Sequence, residues 1–142
     1  MAAFVKFNQF ATDMAAGVHA GALNASTATL KIYLTNATPS ASADSIKTDL
    51  AEITNENGYT APIDVENSAS TASGTITVVG VDKVITASGG TVGPFRYVVL
   101  YNDTPSSPLD PLIGYWDYGS AITLNSGETF TANFGASLFT VG

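Results

Sequence analysis

The chain has 142 residues, 45% of them hydrophobic and only 12% charged, with 5 Lys and Arg against 12 Asp and Glu for a net charge of −7. That length suits one domain with one core, and the absence of cysteine excludes a disulfide scaffold, a thiolate metal site and a cysteine nucleophile. Basic residues are few and scattered at Lys6, Lys31, Lys47, Lys83 and Arg96, which leaves no footprint for nucleic acid and disfavours anionic membranes.

The first predicted element is a helix over residues 4–18. Phe4, Phe7, Phe10 or Ala11, Met14 and Val18 recur at three- and four-residue steps and share one stripe, with Asn8, Gln9, Thr12 and Asp13 on the other side. Phe4 and Phe7 either begin the helix or lie extended just before it. Gly17 is its expected stop. The N-terminus lacks the basic-then-apolar layout of a signal peptide, and no apolar run reaches the ~18 residues of a membrane span.

From residue 29 the period changes to two. Leu30, Ile32 and Leu34 alternate with Lys31, Tyr33 and Thr35, the pattern of a half-buried strand. A small polar loop follows through Asp44. Thr48 to Ile53 reads as a short helical turn capped by Thr48, with Asp49 and Glu52 at its start. Asn57-Gly58 is a turn.

Strands are then expected over 74–79, 83–87, 95–101, 112–118, 121–124, 129–134 and 137–141. Gly89-Gly90, residues 102–105 and Asn125-Ser126-Gly127 punctuate them. In 95–101 both faces carry large side chains, as in a central strand. The expected fold is mainly β (α+β), a single β-sandwich or jelly-roll-like domain over 1–142 with one N-terminal helix or arm. Ser and Thr supply 31 residues, a hydroxyl-rich surface that fits such a protein and fits burial against neighbours.

Chemistry-bearing groups are sparse. His19 is the lone histidine, has no Gly-x-Ser-x-Gly elbow to serve, and reads as a residue packing beyond the helix end. Asp44, Asp49, Glu52 and Glu56 cluster in sequence but do not match a calcium loop, and read as caps and solvated acids. Asp110 and Asp117 flank an aromatic strand, though spacing alone does not make a glycosidase pair. Residues 88–93 are Gly-rich turns without a phosphate-loop ending. No catalytic, cofactor-binding or metal-binding residues are expected, and no cofactor. Leu112-Ile113-Gly114-Tyr115-Trp116-Asp117-Tyr118 is the densest aromatic patch. Alternation sends Leu112, Gly114 and Trp116 to one face and Ile113 with Tyr115 to the other; Trp116 is expected in the core, and Tyr115 or Tyr118 are the better candidates for an exposed contact.

Several segments in order resemble a recurring tailed-bacteriophage virion protein family. They are Phe7-Asn8-Gln9-Phe10-Ala11-Thr12-Asp13 with Gly17-Val18-His19, and Thr29 through Asn36 with Pro39. Asp49-Leu50-Ala51-Glu52-Ile53, Asn57-Gly58-Tyr59, Tyr97 through Asp103, Leu112 through Gly119 and Leu124 through Phe130 continue the pattern. The resemblance implies a non-enzymatic structural protein, made in the host cytoplasm and located in the virion. The role it implies most often is head decoration (cement), with the major capsid protein as partner. Symmetric self-association as dimer or trimer would match the axes of a shell. The expected interface residues are Phe4, Phe7 and Phe10 of the N-terminal segment, with Tyr115 and Tyr118. The alternative for that segment is that it covers a face of its own sheet. Rival functions are a tail, neck or baseplate component and a carbohydrate-binding module of a fibre.

Overall fold

The computed structural model describes residues 2–19 and 29–142. Of these residues 45% are in strands and 8% in helix, a β-rich α+β fold of antiparallel sheets with one helix among them. In chain order the elements are β1 (Val5–Lys6), α1 (Asn8–Ala15), β2 (Leu30–Thr35), a 3₁₀ turn (Lys47–Asp49), β3 (Ile63–Asp64), β4 (Ser68–Ala72) and β5 (Thr75–Val79). There follow β6 (Lys83–Thr86), β7 (Val92–Asn102), β8 (Leu112–Leu124), β9 (Thr129–Ala132) and β10 (Phe139–Val141).

The main sheet runs β1-β8-β7-β2-β3; two smaller sheets run β10-β5-β4 and β6-β9. As the alternation of large side chains predicts, β7 is central, paired with β2 from Leu30↔Asn102 to Thr35↔Tyr97 and with β8 on its other side. Its residues from Tyr97 to Asn102 are buried without interruption, and β2 is covered on both faces rather than one. All three sheets feed one core. Ile32, Leu34, Val98, Leu100 and Trp116 of the main sheet join Val78, Ile85, Phe130 and Phe139 from the others, with Phe134 and Leu138 from the β9–β10 connection.

The helix is shorter than the periodicity over 4–18 suggests. Val5 and Lys6 pair instead with Tyr115 and Gly114 on the β8 edge, and the Phe7 N–H donates to Ile113 O at 3.1 Å. A free sheet edge offers this segment backbone partners that a helix start, with its unpaired N–H groups, does not. The helix begins only after Phe7, which stays extended at φ −71°, ψ 145°. Its end falls where Gly17 predicts. Gly17 has φ 77°, its N–H donates to Met14 O, and the Val18 N–H reaches back to Asp13 O. Those two bonds form a Schellman motif, which needs the left-handed conformation that glycine adopts without strain.

Two other expectations change. Thr48 lies inside the 3₁₀ turn; the cap is Asp49, whose Oδ2 accepts the N–H groups of Ser45 at 2.8 Å and Ile46 at 3.0 Å. The strands expected at 112–118 and 121–124 are one, since Gly119 carries the chain across at φ 104°. Between Phe95↔Ile122 and Tyr97↔Asp117, five steps of β8 face two of β7, so the extra residues bulge outward. β3 and β4 have no forecast at all.

Candidate functional site

The N-terminal segment straddles the β8 edge. On one side of the sheet the Phe4 ring packs against Trp116 (centroids 4.7 Å) and Phe139 (5.7 Å), and Trp116 continues to Phe134 at 5.2 Å. On the other side Phe7 meets Tyr115 at 5.3 Å, and Tyr115 meets Tyr97 edge-on at 6.1 Å. Phe10 lies edge-on to Phe139 at 5.4 Å. This aromatic seam joins β1, α1, β8 and β10 through contacts of a kind that add about 0.5–1.5 kcal/mol each beyond area burial.

Four of the five expected interface residues, Phe4, Phe7, Phe10 and Tyr115, take part in this seam. Phe7 and Phe10 are buried in the core, and Phe4 and Tyr115 are partly buried against it. Those side chains are spent on the chain's own sheets, because the edge of β8 draws the segment in. Trp116 is buried too, as alternation predicts. Of the five, only Tyr118 stands clear, at 48% exposure.

Tyr118 sits on the β8 bulge, and the base of that bulge is fixed. Arg96 Nε donates to Asp117 Oδ1 at 2.8 Å and Nη2 to Oδ2 at 2.9 Å, a fork-on-carboxylate arrangement. The same Oδ1 accepts the Gly119 N–H at 2.8 Å, and the guanidinium lies 5.3 Å from the Tyr97 ring centroid. The Arg96 hydrogen bond, with that of Gly119, holds the Asp117 carboxyl below its ordinary range. It is held as an ionised clamp at the base of the bulge. Burial pushes Asp110 upward instead, reinforced by the neighbouring Asp103. One edge of the Tyr118 ring rests on Phe130 at 5.8 Å. Further large apolar side chains left exposed are Val84, Leu109, Val81 and Val5.

The sequence pattern places Asp13 on the polar side of the helix, yet it is buried with His19. Gln9 Nε2 donates to Asp13 Oδ1 at 3.0 Å. Asn102 Oδ1 takes the Thr104 N–H, which leaves the Asn102 amide group to donate to His19 Nδ1 at 3.2 Å. Accepting at Nδ1 fixes the histidine proton on Nε2. Burial holds His19 below its ordinary pKa of 6.5, partly offset by the Asp13 charge. His19 Nε2 and Asp13 Oδ2 face each other 3.9 Å apart, beyond hydrogen-bond reach, and neither has another partner among the described residues. The histidine is fully buried. It packs beyond the helix end, as its position in the sequence suggests.

The acids at 44–56 work locally. Asp44 accepts the Ser40 N–H at 2.6 Å, Asp49 caps the 3₁₀ turn, and Glu52 pairs with Lys47 at 3.0 Å while accepting from the Tyr59 hydroxyl at 3.2 Å. Among the described residues there is no pocket and no group of three His, Cys, Asp or Glu placed to hold a metal. No helix among them is long and apolar enough to cross a membrane.

No protein-family model, curated protein or solved structure matches the chain. The aromatic seam packs within the chain, and Tyr118 on its bulge is the exposed ring of the patch.

Proposed function

We propose that this chain is a non-enzymatic structural protein of a tailed-bacteriophage virion, a capsid decoration (cement) protein that binds the major capsid protein on the assembled head. The observation that carries the contact is Tyr118, an exposed aromatic side chain held on a bulge by the Arg96–Asp117 fork. Interfaces draw most of their binding energy from a few rigid aromatic anchors, and an anchor fixed before binding loses little entropy on docking. The sequence resemblance supports the virion assignment. So does a surface low in charge, which suits a protein that covers much of itself against neighbours.

The mechanism needs no active site. A protein that binds the closed shell but not its free subunits stabilises the shell by mass action. Dimeric or trimeric copies would sit on symmetry axes of the lattice. Glycan stacking has less support, because Trp116 is buried and Tyr115 is half covered by Phe7 and Tyr97.

Co-sedimentation with heads assembled without this protein tests the reading. Saturable binding supports decoration. Immunogold label confined to tails or baseplates would reassign the protein within the virion.

A further inference from the structure

Sheet edges invite other strands because half their N–H and C=O groups are unpaired, and proteins ordinarily blunt them with short strands, charges or cover. Most edges here are blunted. β1 and β3 are two residues each and carry Lys6 and Asp64. On β10, Lys6 Nζ donates to the Thr140 carbonyl at 2.7 Å. β6 holds Lys83, paired with Glu66 at 2.8 Å. β9 has four residues directly after Glu128, and two of their side chains are buried.

β4 differs. Among the described residues it pairs with β5 alone, and its residues Ser68-Ala69-Ser70-Thr71-Ala72 are exposed except for a half-buried Ala69. No charged residue or proline lies between Glu66 and Asp82. Ser73 and Gly74 both have positive φ, 51° and 80°, the signature of a two-residue type I′ turn. In such a hairpin the flanking pair Ala72–Thr75 exchanges both backbone bonds, and so do the alternate pairs Ser70–Thr77 and Ser68–Val79. The N–H and C=O of Ala69 and Thr71 therefore point away from β5, toward the open edge.

We infer that β4 is a dimerisation strand: two copies of this chain join edge to edge, antiparallel, about a two-fold axis at Ser70. Ala69 of each copy then exchanges both backbone bonds with Thr71 of the other. The occupant is a second copy because the edge complements itself. Its outward groups lie symmetrically about Ser70, the side chains that meet at the axis are small, and no charge meets its own image. At a net charge of −7 two copies repel over most of their surface, and this neutral stretch is where they can approach. Pairing would fuse two three-stranded sheets, each ordered β10-β5-β4, into one continuous sheet. The dimer deepens the assembly reading, but it is tested on free protein, so its failure and a failure to bind heads are distinct results.

The chain has no cysteine, so Ser70→Cys introduces a single thiol. Opposed residues of a non-hydrogen-bonded antiparallel pair bring their β-carbons close to disulfide span. Thr140→Cys is the collision control, since Thr140 lies beside Thr77, which lies beside Ser70, on the same outer face. At equal micromolar concentration, Ser70→Cys should oxidise to a covalent dimer roughly tenfold or more faster than Thr140→Cys. Ser70→Lys, placing like charges at the axis, should sediment as a monomer with an unchanged circular dichroism spectrum where the wild type is dimeric. Equal oxidation rates, a Ser70→Lys chain that still dimerises, or a wild type monomeric at millimolar concentration would each overturn the inference.

Discussion

The ring of Phe4 occupies the space that a β-carbon on Gly114 would fill. The same β-carbon would lie 2.6 Å from Val5 O, and Gly114 is the strand partner of Lys6. Gly114 is thus a site of close approach, where only the smallest residue lets β1 and the Phe4 ring lie flat on β8. The N-terminal segment is fastened here, which is why its aromatic residues belong to the fold.

Gly114→Ala should therefore cost about 1–3 kcal/mol, the usual penalty of overpacking. Urea denaturation measures it. The cost should shrink when Phe4→Ala is combined with it, because the displaced ring is then gone. Hydrogen exchange should show the Phe7 amide, bonded to Ile113 O, losing protection before the amides of β7 do.

Phe10→Ala should destabilise by about 3–5 kcal/mol, since a buried ring is lost from a packed core. Deleting residues 1–10 should unfold the chain rather than merely remove an arm. A truncated protein with the wild-type denaturation midpoint would contradict the placement of Phe7 and Phe10 in the core.

Much of this architecture is legible in the residues, and the failures have physical causes. Period-two runs such as Leu30–Thr35, and a run with large side chains on both faces such as Phe95–Tyr101, declare strands. Gly17 and Asn57-Gly58 declare a helix end and a turn. Ser68–Ala72 does not, because its small polar residues are exposed and show no apolar alternation. The stripe Phe4, Phe7, Phe10 states that something apolar will cover it, but not whether that is another copy or the edge of β8. Asp13 looks like a surface residue because its neighbour His19 arrives through a turn, and His19 is itself held by Asn102, 83 residues further along the chain. Alternation puts Tyr118 on the face of Trp116, so its exposure is not legible in the sequence; nor is its clamp, since Arg96 and Asp117 meet only through the β7–β8 register.

Stability should fall as pH drops from 7 toward 5. His19 is held below its ordinary pKa of 6.5, so below that value the unfolded chain binds a proton that the folded chain resists. The loss begins near 6.5 and grows until the folded pKa is passed. His19→Gln should flatten the dependence in that window. Asp49 and Asp117, both held below 3.8, act later, their stabilisation disappearing as pH falls under that value. Melts across the pH range in both proteins check this. A wild-type slope equal to that of His19→Gln between pH 7 and 5 would exclude the histidine as its source.

Arg96→Lys should keep the fold but loosen the bulge, because an ammonium cannot grip both oxygens of Asp117 as the guanidinium does. Tyr118→Ala should lower stability by only about 1 kcal/mol, the loss of an edge contact with Phe130. Both variants should weaken binding to heads, Tyr118→Ala by roughly tenfold or more if it removes an interface anchor. A pelleting assay at fixed salt reads both.

The most direct test of the central claim is a titration of purified protein onto heads assembled without it, scored as copies bound per shell. The account predicts saturation at a copy number set by a symmetry class of the lattice, with raised resistance of the heads to heat or chelation and weakened binding by Tyr118→Ala. Heads that bind no protein at saturating concentration, or bind Tyr118→Ala as tightly as wild type, would contradict it.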